Sequence, residues 1–347
     1  MADGSIPLAA LVEQEHAERA IASLREEGVY DESRSVRESV DGFVELPVTD
    51  PPTDTPVLDV VRQVDPERRG RDLAALLADR GWTEVEIELA PRSWAVVGDV
   101  VLVRLPDDCP RPAEVGEALL DLQGAETVLV RNGIDGAQRE PDVDVLAGSA
   151  DTETVHTEHG TKYSLDLAEV MFSPGNQAER VRMGEVVEEG ERVLDMFAGI
   201  GYFALPMARA GAEVTAVERN PAAFQFLVEN AVLNGVEERL RPFRADCRDV
   251  VGWHGDPEVD VDVAADRVVM GHYDANEYLD AALSVLEPGG TLHYHEVTSE
   301  AELPERPVER VESAAEEAGR SVEVGDVARV KSYSEGVWHV VVDARVQ

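Results

Sequence analysis

Hydrophobic positions follow two different periods along this chain, and in its second half the two alternate. Short apolar runs at 192–197, 213–218, 240–245, 265–271 and 290–296 predict strands, and the segments between them, with apolar residues every three or four positions, predict helices. Two more strands are predicted between Ser321 and Val346, joined near Gly336. Such alternation predicts a doubly wound parallel sheet, closed here by an antiparallel pair.

The first half of the chain shows shorter and more mixed patterns. Residues 1–50 are predicted to form a small N-terminal domain, with a helix from Leu8 to Glu27 and a strand from Gly42 to Val48. Residues 51–65, rich in proline, aspartate and threonine, are predicted to be a linker. Short strands and two helices in residues 66–160 predict an α+β domain, so the doubly wound domain is expected to span residues 161–347.

Two helix starts carry capping signals. Asn176 and Glu179 have the spacing of a capping box, which predicts a helix that ends near Gly190. Asn220 followed by Pro221 predicts an N-cap and first helical residue for a helix that reaches Leu233.

A glycine-rich turn lies between the first predicted strand of the sheet and the helix after it. Its glycines allow a tight turn and a close approach of the backbone to a ligand, and an acid at position 218, about twenty residues later, can accept hydrogen bonds from a ribose. The predicted cofactor is therefore a nucleoside. Asp195 would repel the pyrophosphate of a dinucleotide, and it suits a cationic ligand such as S-adenosylmethionine (SAM). In the alternative interpretation, the glycines only make a tight turn between strand and helix. The predicted binding residues of the turn are Asp195, Phe197, Ala198, Gly199 and Gly201.

Because ligands of such sheets lie beyond the carboxyl ends of the strands, the next strand ends are candidate sites too. Glu218 and Asn220 follow the second strand, and Asp246 and Cys247 follow the third, where an acid and a backbone N–H can pair with adenine. Asp246 could instead be a helix cap. His272, after the fourth strand, is a candidate for contacting a base or moving a proton, or a structural loop residue.

Composition limits the class of protein and its surroundings. The 347 residues contain 71 acids and 31 bases, and only Lys162 and Lys331 are lysines. Acids spread along a chain with almost no lysine indicate adaptation to high salt, as in haloarchaea, where the Debye length is about 3 Å at 1 M. Steering by net charge is weak there, so the acidity neither supports nor excludes an RNA partner. Two cysteines and no long apolar run predict a cytoplasmic protein with no metal site and no membrane partner.

Several motifs together resemble one family. Tyr163-x-Leu165-Asp166, Phe172-Ser173-Pro174, Glu179-Arg180-x-Arg182 and the turn from Asp195 to Phe203 are similar to the archaeal and eukaryotic SAM enzymes that act on the purine beside the tRNA anticodon, at position 37. The resemblance implies a class I methyltransferase-like (Rossmann-like) domain after residue 160 and a domain over 66–160 that binds RNA or substrate. It also implies action on the anticodon loop of phenylalanine tRNA, and we expect the protein to be a monomer.

The family has two branches, which differ in the carbon of SAM that is attacked and therefore in the group that is transferred. One methylates N1 of guanosine, and its members carry arginine at the position of Gly175 and Asn-Leu-Pro at Met270-Gly271-His272. The departures seen here resemble the other branch, which transfers the 3-amino-3-carboxypropyl group to a tricyclic guanosine derivative. The resemblance implies Arg139 as charge stabiliser and Glu179 as general base. Guanosine methylation and a non-catalytic, SAM-retaining tRNA-binding protein stay open as alternatives.

Overall fold

The computed structural model describes residues 7–39, 42–63, 72–135, 140–252 and 263–347. The chain divides into two compact units, Met1–Gly81 and Trp82–Gln347, called here the N-terminal and C-terminal units.

The N-terminal unit contains a four-stranded sheet of order β2-β3-β1-β4. Its elements are β1 (Leu8–Glu13), α1 (Ala17–Glu26), β2 (Arg37–Glu38), β3 (Phe43–Val48), β4 (Asp59–Arg62) and α2 (Leu73–Asp79). The helix predicted from Leu8 is wrong in its first part, because residues 8–13 form a strand that pairs antiparallel with both β3 and β4. Pairing on both sides outweighs the local helical pattern there. The predicted strand from Gly42 to Val48 is confirmed as β3.

The C-terminal unit begins with a second four-stranded sheet, of order β5-β6-β7-β8, followed by a hairpin of β9 and β10. These elements are α3 (Glu84–Glu88), β5 (Trp94–Val97), β6 (Val100–Val103), α4 (Pro112–Gln123), β7 (Thr127–Asp135), β8 (Glu140–Gly148), β9 (Glu153–Glu158) and β10 (Thr161–Asp166). Strands β6 and β7 run parallel and the other neighbours antiparallel, which is the mixed α+β pattern expected from the sequence.

The rest of this unit is a seven-stranded sheet of order β13-β12-β11-β14-β15-β17-β16. The elements are α5 (Gln177–Glu185), β11 (Arg192–Asp195), α6 (Ala204–Arg209), β12 (Glu213–Val217), α7 (Pro221–Leu233), β13 (Leu240–Phe243), α8 (Cys247–Val251), β14 (Ala265–Met270), α9 (Leu279–Val285), β15 (Leu286–Ser299), α10 (Glu305–Glu317), β16 (Val322–Ser334) and β17 (Val337–Val346). Five strands are parallel and the last two antiparallel, so the predicted doubly wound sheet with its closing pair is confirmed.

The two faces of this sheet are covered by different helices. Neighbouring residues of β11 point to opposite sides, so Val193 belongs to a core with residues of α5, α6 and α7, and Leu194 to a core with residues of α8, α9 and α10. The first of these cores also includes Val100 and Leu129 of the preceding sheet, which packs against the same face.

The two capping predictions have different outcomes. Asn220 caps α7 as predicted, because its side chain accepts hydrogen bonds from the backbone N–H groups of Ala222 and Ala223. The capping box at Asn176 and Glu179 is wrong. A 3₁₀ turn over Pro174–Asn176 leaves Asn176 without a side-chain cap, Arg182 binds the Glu179 carboxylate, and α5 ends at Glu185.

Candidate functional site

A cleft that is partly open to solvent lies at the carboxyl ends of β11, β12, β13 and β14. One part, called the acidic end, contains Glu218 and Asp246 from successive strand ends. The other part, called the loop end, contains Ser173, Asn176 and Arg180 from the segment that enters and begins α5. Seven of the predicted site residues line this cleft, namely Phe197, Gly199, Glu218, Asn220, Asp246, Cys247 and His272.

The backbone of the glycine turn requires glycine at both positions. Gly199 has φ 57° and Gly201 has φ 101°, in the region that side chains rarely adopt. A Cβ at Gly199 would also overlap the ring of Tyr202, and one at Gly201 would lie 2.6 Å from Cγ of Leu205. The turn therefore has the tight path predicted from the sequence.

Glu218 ties this turn to the end of the neighbouring strand. Its Oε2 accepts a hydrogen bond of 2.8 Å from the N–H of Gly199, and its Oε1 accepts one of 2.6 Å from the N–H of Asn220. Burial raises the pKa of the Glu218 carboxyl above its usual range, against these hydrogen bonds. The carboxylate is thus held in one orientation at the cleft wall.

Asp195 lies beneath the cleft and does not line it. Its side chain is fully buried, and its Oδ1 accepts a long bond of 3.3 Å from the N–H of Phe197. Within the described ranges, Oδ2 has no hydrogen-bond partner. Burial raises the pKa of the Asp195 carboxyl to about 7, and the nearby charge of Glu218 adds to the shift. A buried, under-satisfied carboxylate fits a site whose ligand carries positive charge.

Ala198 and Gly201, also predicted to bind the cofactor, lie in the same supporting layer. Ala198 is fully buried and donates its N–H to the carbonyl of Val217 at 2.9 Å, while Gly201 donates to Ala198 at 2.8 Å. These two residues shape the turn from below.

Asp246 is a helix cap, one of the two interpretations that the sequence left open, and it also lies on the cleft wall. It caps α8 by accepting from the N–H of Arg248 at 3.0 Å, and it lines the cleft. The guanidinium of Arg248 also binds its two oxygens at 2.9 and 2.8 Å, and these hydrogen bonds lower the pKa of the Asp246 carboxyl. Burial raises the pKa of the adjacent Cys247 thiol to about 12, so this residue is a neutral thiol.

His272 lies at the rim of the cleft with its ring fixed from two sides. The imidazole stacks on Phe197 with ring centroids 5.2 Å apart, and its Nδ1 accepts from the N–H of Asp274 at 3.1 Å. Tyr278 meets the other edge of Phe197 at 5.0 Å. The three rings form an aromatic wall around the acidic end.

Two cations to which sequence analysis assigned no role contact the loop end, Arg180 as a lining residue and Lys331 through Ser173. Arg180 is buried, and its guanidinium binds both oxygens of Glu158 at 2.6 and 2.8 Å and the carbonyl of Ser173 at 3.0 Å. Lys331, from β16, donates to the hydroxyl of Ser173. The signal that could have singled it out is its residue type, since it is one of two lysines in the whole chain.

Glu179, predicted as general base, lies in a buried ionic network instead of on the cleft wall. Arg182 binds both oxygens of Glu179 at 2.9 and 2.6 Å and reaches Asp343 on β17 at 2.6 Å. Asp343 in turn bonds Nδ1 of His293 at 2.6 Å. Although burial opposes it, the hydrogen bonds from His293 and Arg182 lower the pKa of Asp343 to about 2. Arg139, the other predicted catalytic residue, lies outside the described residues.

The network reaches the cleft through aromatic contacts. His295 lies 3.8 Å from Glu179, and burial lowers its pKa to about 3, so the ring is neutral. Phe203, which lines the cleft, stacks on His295 at 5.3 Å, and Tyr273, another lining residue, packs on His339 at 4.9 Å. Asp343 and Arg182 thus support the cleft from behind, which only the pairing of β15 with β17 reveals.

In the described part of the chain, no cluster of His, Cys, Asp and Glu has the composition of a metal site. Within the same residues, no helix is both long and apolar enough to cross a bilayer.

Comparison with known proteins identifies the family. Residues 154–324 match the TRM5/TYW2 methyltransferase domain, and residues 73–152 match the TYW2 N-terminal domain. The chain is 42% identical to the tRNA(Phe) (4-demethylwyosine(37)-C(7)) aminocarboxypropyltransferase of Pyrococcus horikoshii over 75% of this chain and 91% of the relative. It is 32% identical to the tRNA (guanine(37)-N(1))-methyltransferase Trm5b of Pyrococcus abyssi over 74% of this chain and 75% of that relative.

The fold agrees with this relationship. The crystal structure of P. horikoshii TYW2 in complex with MeSAdo superposes with a TM-score of 0.68 at 38% identity, covering 79% of this chain and 97% of the other. Sequence, fold and the glycine-turn geometry therefore agree, and the chain belongs to the TRM5/TYW2 family.

Proposed function

We propose that this protein is a tRNA-modifying transferase that moves the 3-amino-3-carboxypropyl group of SAM to a tricyclic guanosine derivative at position 37 of phenylalanine tRNA. The observation that carries the proposal is 42% identity to a relative named for this reaction, over 91% of that relative. The match of residues 73–152 to the TYW2 N-terminal domain supports the same branch.

The cleft has the chemistry that SAM needs. Glu218 presents a fixed carboxylate as acceptor for the two ribose hydroxyls, and the backbone at Asp246 and Cys247 faces the place of the adenine. The under-satisfied Asp195 carboxylate offers negative charge beneath the turn, where a sulfonium ligand would compensate its burial. SAM supplies a sulfonium with three electrophilic carbons, and attack at Cγ releases methylthioadenosine.

The residues around the cleft position the reactants more than they take part in the chemical step. Phe197, His272 and Tyr278 wall the acidic end with rings and exclude water from the side facing the nucleoside. Arg182 and Asp343 hold Glu179 in place behind the cleft. We extend the proposal to Arg139 and His272 as residues of the reacting end, as the family resemblance implies, and to Glu179 as a residue that supports this end from behind the cleft.

The finer features of the partner and setting belong to the same proposal. We infer that the RNA site is the anticodon loop, that the protein acts as a monomer, and that it works in the cytoplasm of a high-salt cell. The excess of 71 acids over 31 bases supports the last point, because such a surface is soluble where salt screens self-repulsion.

A product assay tests the proposal directly. The purified protein is incubated with SAM and phenylalanine tRNA that carries either the tricyclic precursor or unmodified guanosine at position 37. We expect methylthioadenosine to appear only with the precursor-bearing tRNA, together with a mass gain of the aminocarboxypropyl group on the RNA. S-adenosylhomocysteine and a methylated guanosine would refute this reaction.

The second candidate is methylation of N1 of guanosine 37, which the 32% identity to Trm5b favours. The same assay decides between the two reactions, because each releases a different thioether. Tight binding of tRNA and SAM with neither product would instead indicate a non-catalytic tRNA-binding protein.

A further inference from the structure

A lysine contacts the loop end of the cleft in a chain that uses arginine for nearly all of its cationic side chains. Of 31 basic residues only Lys162 and Lys331 are lysines. Lys162 is exposed on β10, whereas Lys331 is half-buried on β16 and donates from Nζ to the Ser173 hydroxyl. A compact ammonium on a flexible stem therefore contacts a lining residue of the cleft, in a protein with a formal net charge of −40.

The sequence of the neighbouring loop makes room for this side chain. A Cβ at Gly175 would lie 3.1 Å from Cδ of Lys331, so a longer side chain at 175 would occupy the path of the lysine stem. Ser173, the partner of the ammonium, lines the cleft. The ammonium is thus placed against the cleft wall by a glycine on one side and a hydroxyl on the other.

Asn176, one turn further along the same loop, adds an acceptor. It lines the cleft, and its Oδ1 is buried with no hydrogen-bond donor within reach among the residues that the structure describes. A buried amide oxygen without a donor is costly, and a ligand N–H would relieve the cost. The loop end therefore offers an acceptor three residues along the chain from the hydroxyl that the Lys331 ammonium contacts.

The second cation of the loop end is already neutralised. The guanidinium of Arg180 is paired with both carboxylate oxygens of Glu158, in a nearly solvent-free position. A ligand carboxylate beside the Ser173 hydroxyl would lie within reach of the Lys331 ammonium, which holds that hydroxyl.

We propose that Lys331, together with Ser173 and Asn176, binds the zwitterionic amino-acid terminus of SAM, the part that becomes the aminocarboxypropyl group. The Lys331 ammonium and the Ser173 hydroxyl receive the α-carboxylate, and the Asn176 amide oxygen accepts from the α-ammonium. This inference rests on the proposed function for its choice of ligand. It assigns a donor-positioning role to a residue beyond the 154–324 segment that matches the methyltransferase domain.

Binding measurements with three nucleosides test it. SAM and S-adenosylhomocysteine carry the amino-acid terminus and methylthioadenosine lacks it, so titration calorimetry with each isolates this contact. For Lys331→Met we expect the affinity for the first two to fall about tenfold to hundredfold, the range of a lost charged hydrogen bond, and that for methylthioadenosine to change less than twofold. Lys331→Arg should keep most of the affinity, and Lys162→Met is the matched control that should change none.

Three outcomes would overturn the inference. One is an equal loss for all three nucleosides, which would make Lys331 a structural residue. Another is no loss for any of them. The third is an unchanged SAM affinity with weaker tRNA binding in a filter-binding assay, which would place Lys331 on an RNA phosphate.

The experiment separates this inference from the proposed function. The titrations contain no tRNA and involve no turnover. A protein that binds SAM through Lys331 but forms S-adenosylhomocysteine when tRNA is added would support the inference and refute the aminocarboxypropyl reaction. Thermal unfolding of Lys331→Met confirms that the hairpin of β16 and β17 is intact.

Discussion

The two ends of the cleft are built in different ways. At the acidic end, Gly199, Glu218 and Asp246 follow successive strands, and parallel pairing brings their ends to one edge of the sheet. At the loop end, Ser173 meets Lys331 across 158 positions of sequence, because the last hairpin of the sheet folds back beside the loop before α5. The residues of the acidic end can therefore be predicted from local sequence motifs. Those of the loop end are brought together only by the order of strands in the sheet. We infer that the acidic end selects the nucleoside and the loop end sets which carbon of SAM is presented.

The largest expected effect is on the acidic end. Asp195→Ala should reduce SAM affinity more than about a hundredfold, because it removes the buried negative charge and the anchor of the Phe197 N–H. Calorimetry measures the loss, with Asp266→Ala at the opposite end of the sheet as control. Methylthioadenosine, which has no sulfonium, should lose less. Retained SAM affinity would remove Asp195 from the binding site.

The pH dependence of binding is the next effect. Burial raises the pKa of Asp195 to about 7, so below that pH the carboxyl is neutral and cannot compensate a cation. SAM affinity should rise by up to about tenfold per pH unit as the pH increases towards 7, and then level off. In Asp195→Asn the rise should vanish. A wild-type affinity that is flat between pH 5.5 and 8 contradicts this role.

Glu218→Gln should weaken SAM, S-adenosylhomocysteine and methylthioadenosine alike, by about tenfold, since all three carry the ribose. The amide keeps the shape of the side chain and one acceptor for the turn. Glu213→Gln, at the exposed start of β12, the strand that precedes Glu218, is the control. A loss of affinity confined to SAM would show that Glu218 does not bind the ribose. The expected contrast with Lys331, whose contact needs the amino-acid terminus of the ligand, would then disappear.

The same buried carboxyl should affect the stability of the ligand-free fold. The folded pKa of Asp195 lies above the unfolded value of 3.8, so the folded state holds a proton that the unfolded state releases between these values. Stability should therefore fall as pH rises from about 4 to about 7, by at most about 4 kcal/mol, and then stay constant. Denaturant unfolding of Asp195→Asn should lack this component. An identical pH profile in the variant would contradict the shift.

The smallest effect is expected at Asp246. Arg248 already binds both of its oxygens, so the carboxylate has little capacity left for a ligand. Asp246→Asn should lower SAM affinity no more than about threefold, roughly the value of one weak neutral hydrogen bond. The capping bond to Arg248 N–H can be kept by the amide oxygen. A tenfold loss of affinity for all three nucleosides would instead show that Asp246 contributes to nucleoside binding as much as Glu218 does.

The buried network behind the cleft shows why residue roles are harder to predict than binding motifs. The spacing of Asn176 and Glu179 indicates a capping box, yet in the folded protein Arg182 binds the Glu179 carboxylate and also binds Asp343. Similarly, alternation along β15 predicts that His293 and His295 share a face, but not that Asp343 would bond one and Phe203 stack on the other. Charge pairing in a buried site depends on every element packed there.

The sequence by itself determined the doubly wound sheet, the glycine turn and the carboxylate at its second strand. Each of these rests on period, on backbone freedom at glycine, or on a spacing shorter than about twenty-five residues, and all three are local properties of the chain. Only the tertiary structure decided that Leu8–Glu13 is a strand, that Asp195 lies beneath the cleft, and that Lys331 stands at its loop end. Those outcomes depend on pairing partners and burial, which arise from contacts between segments far apart in sequence.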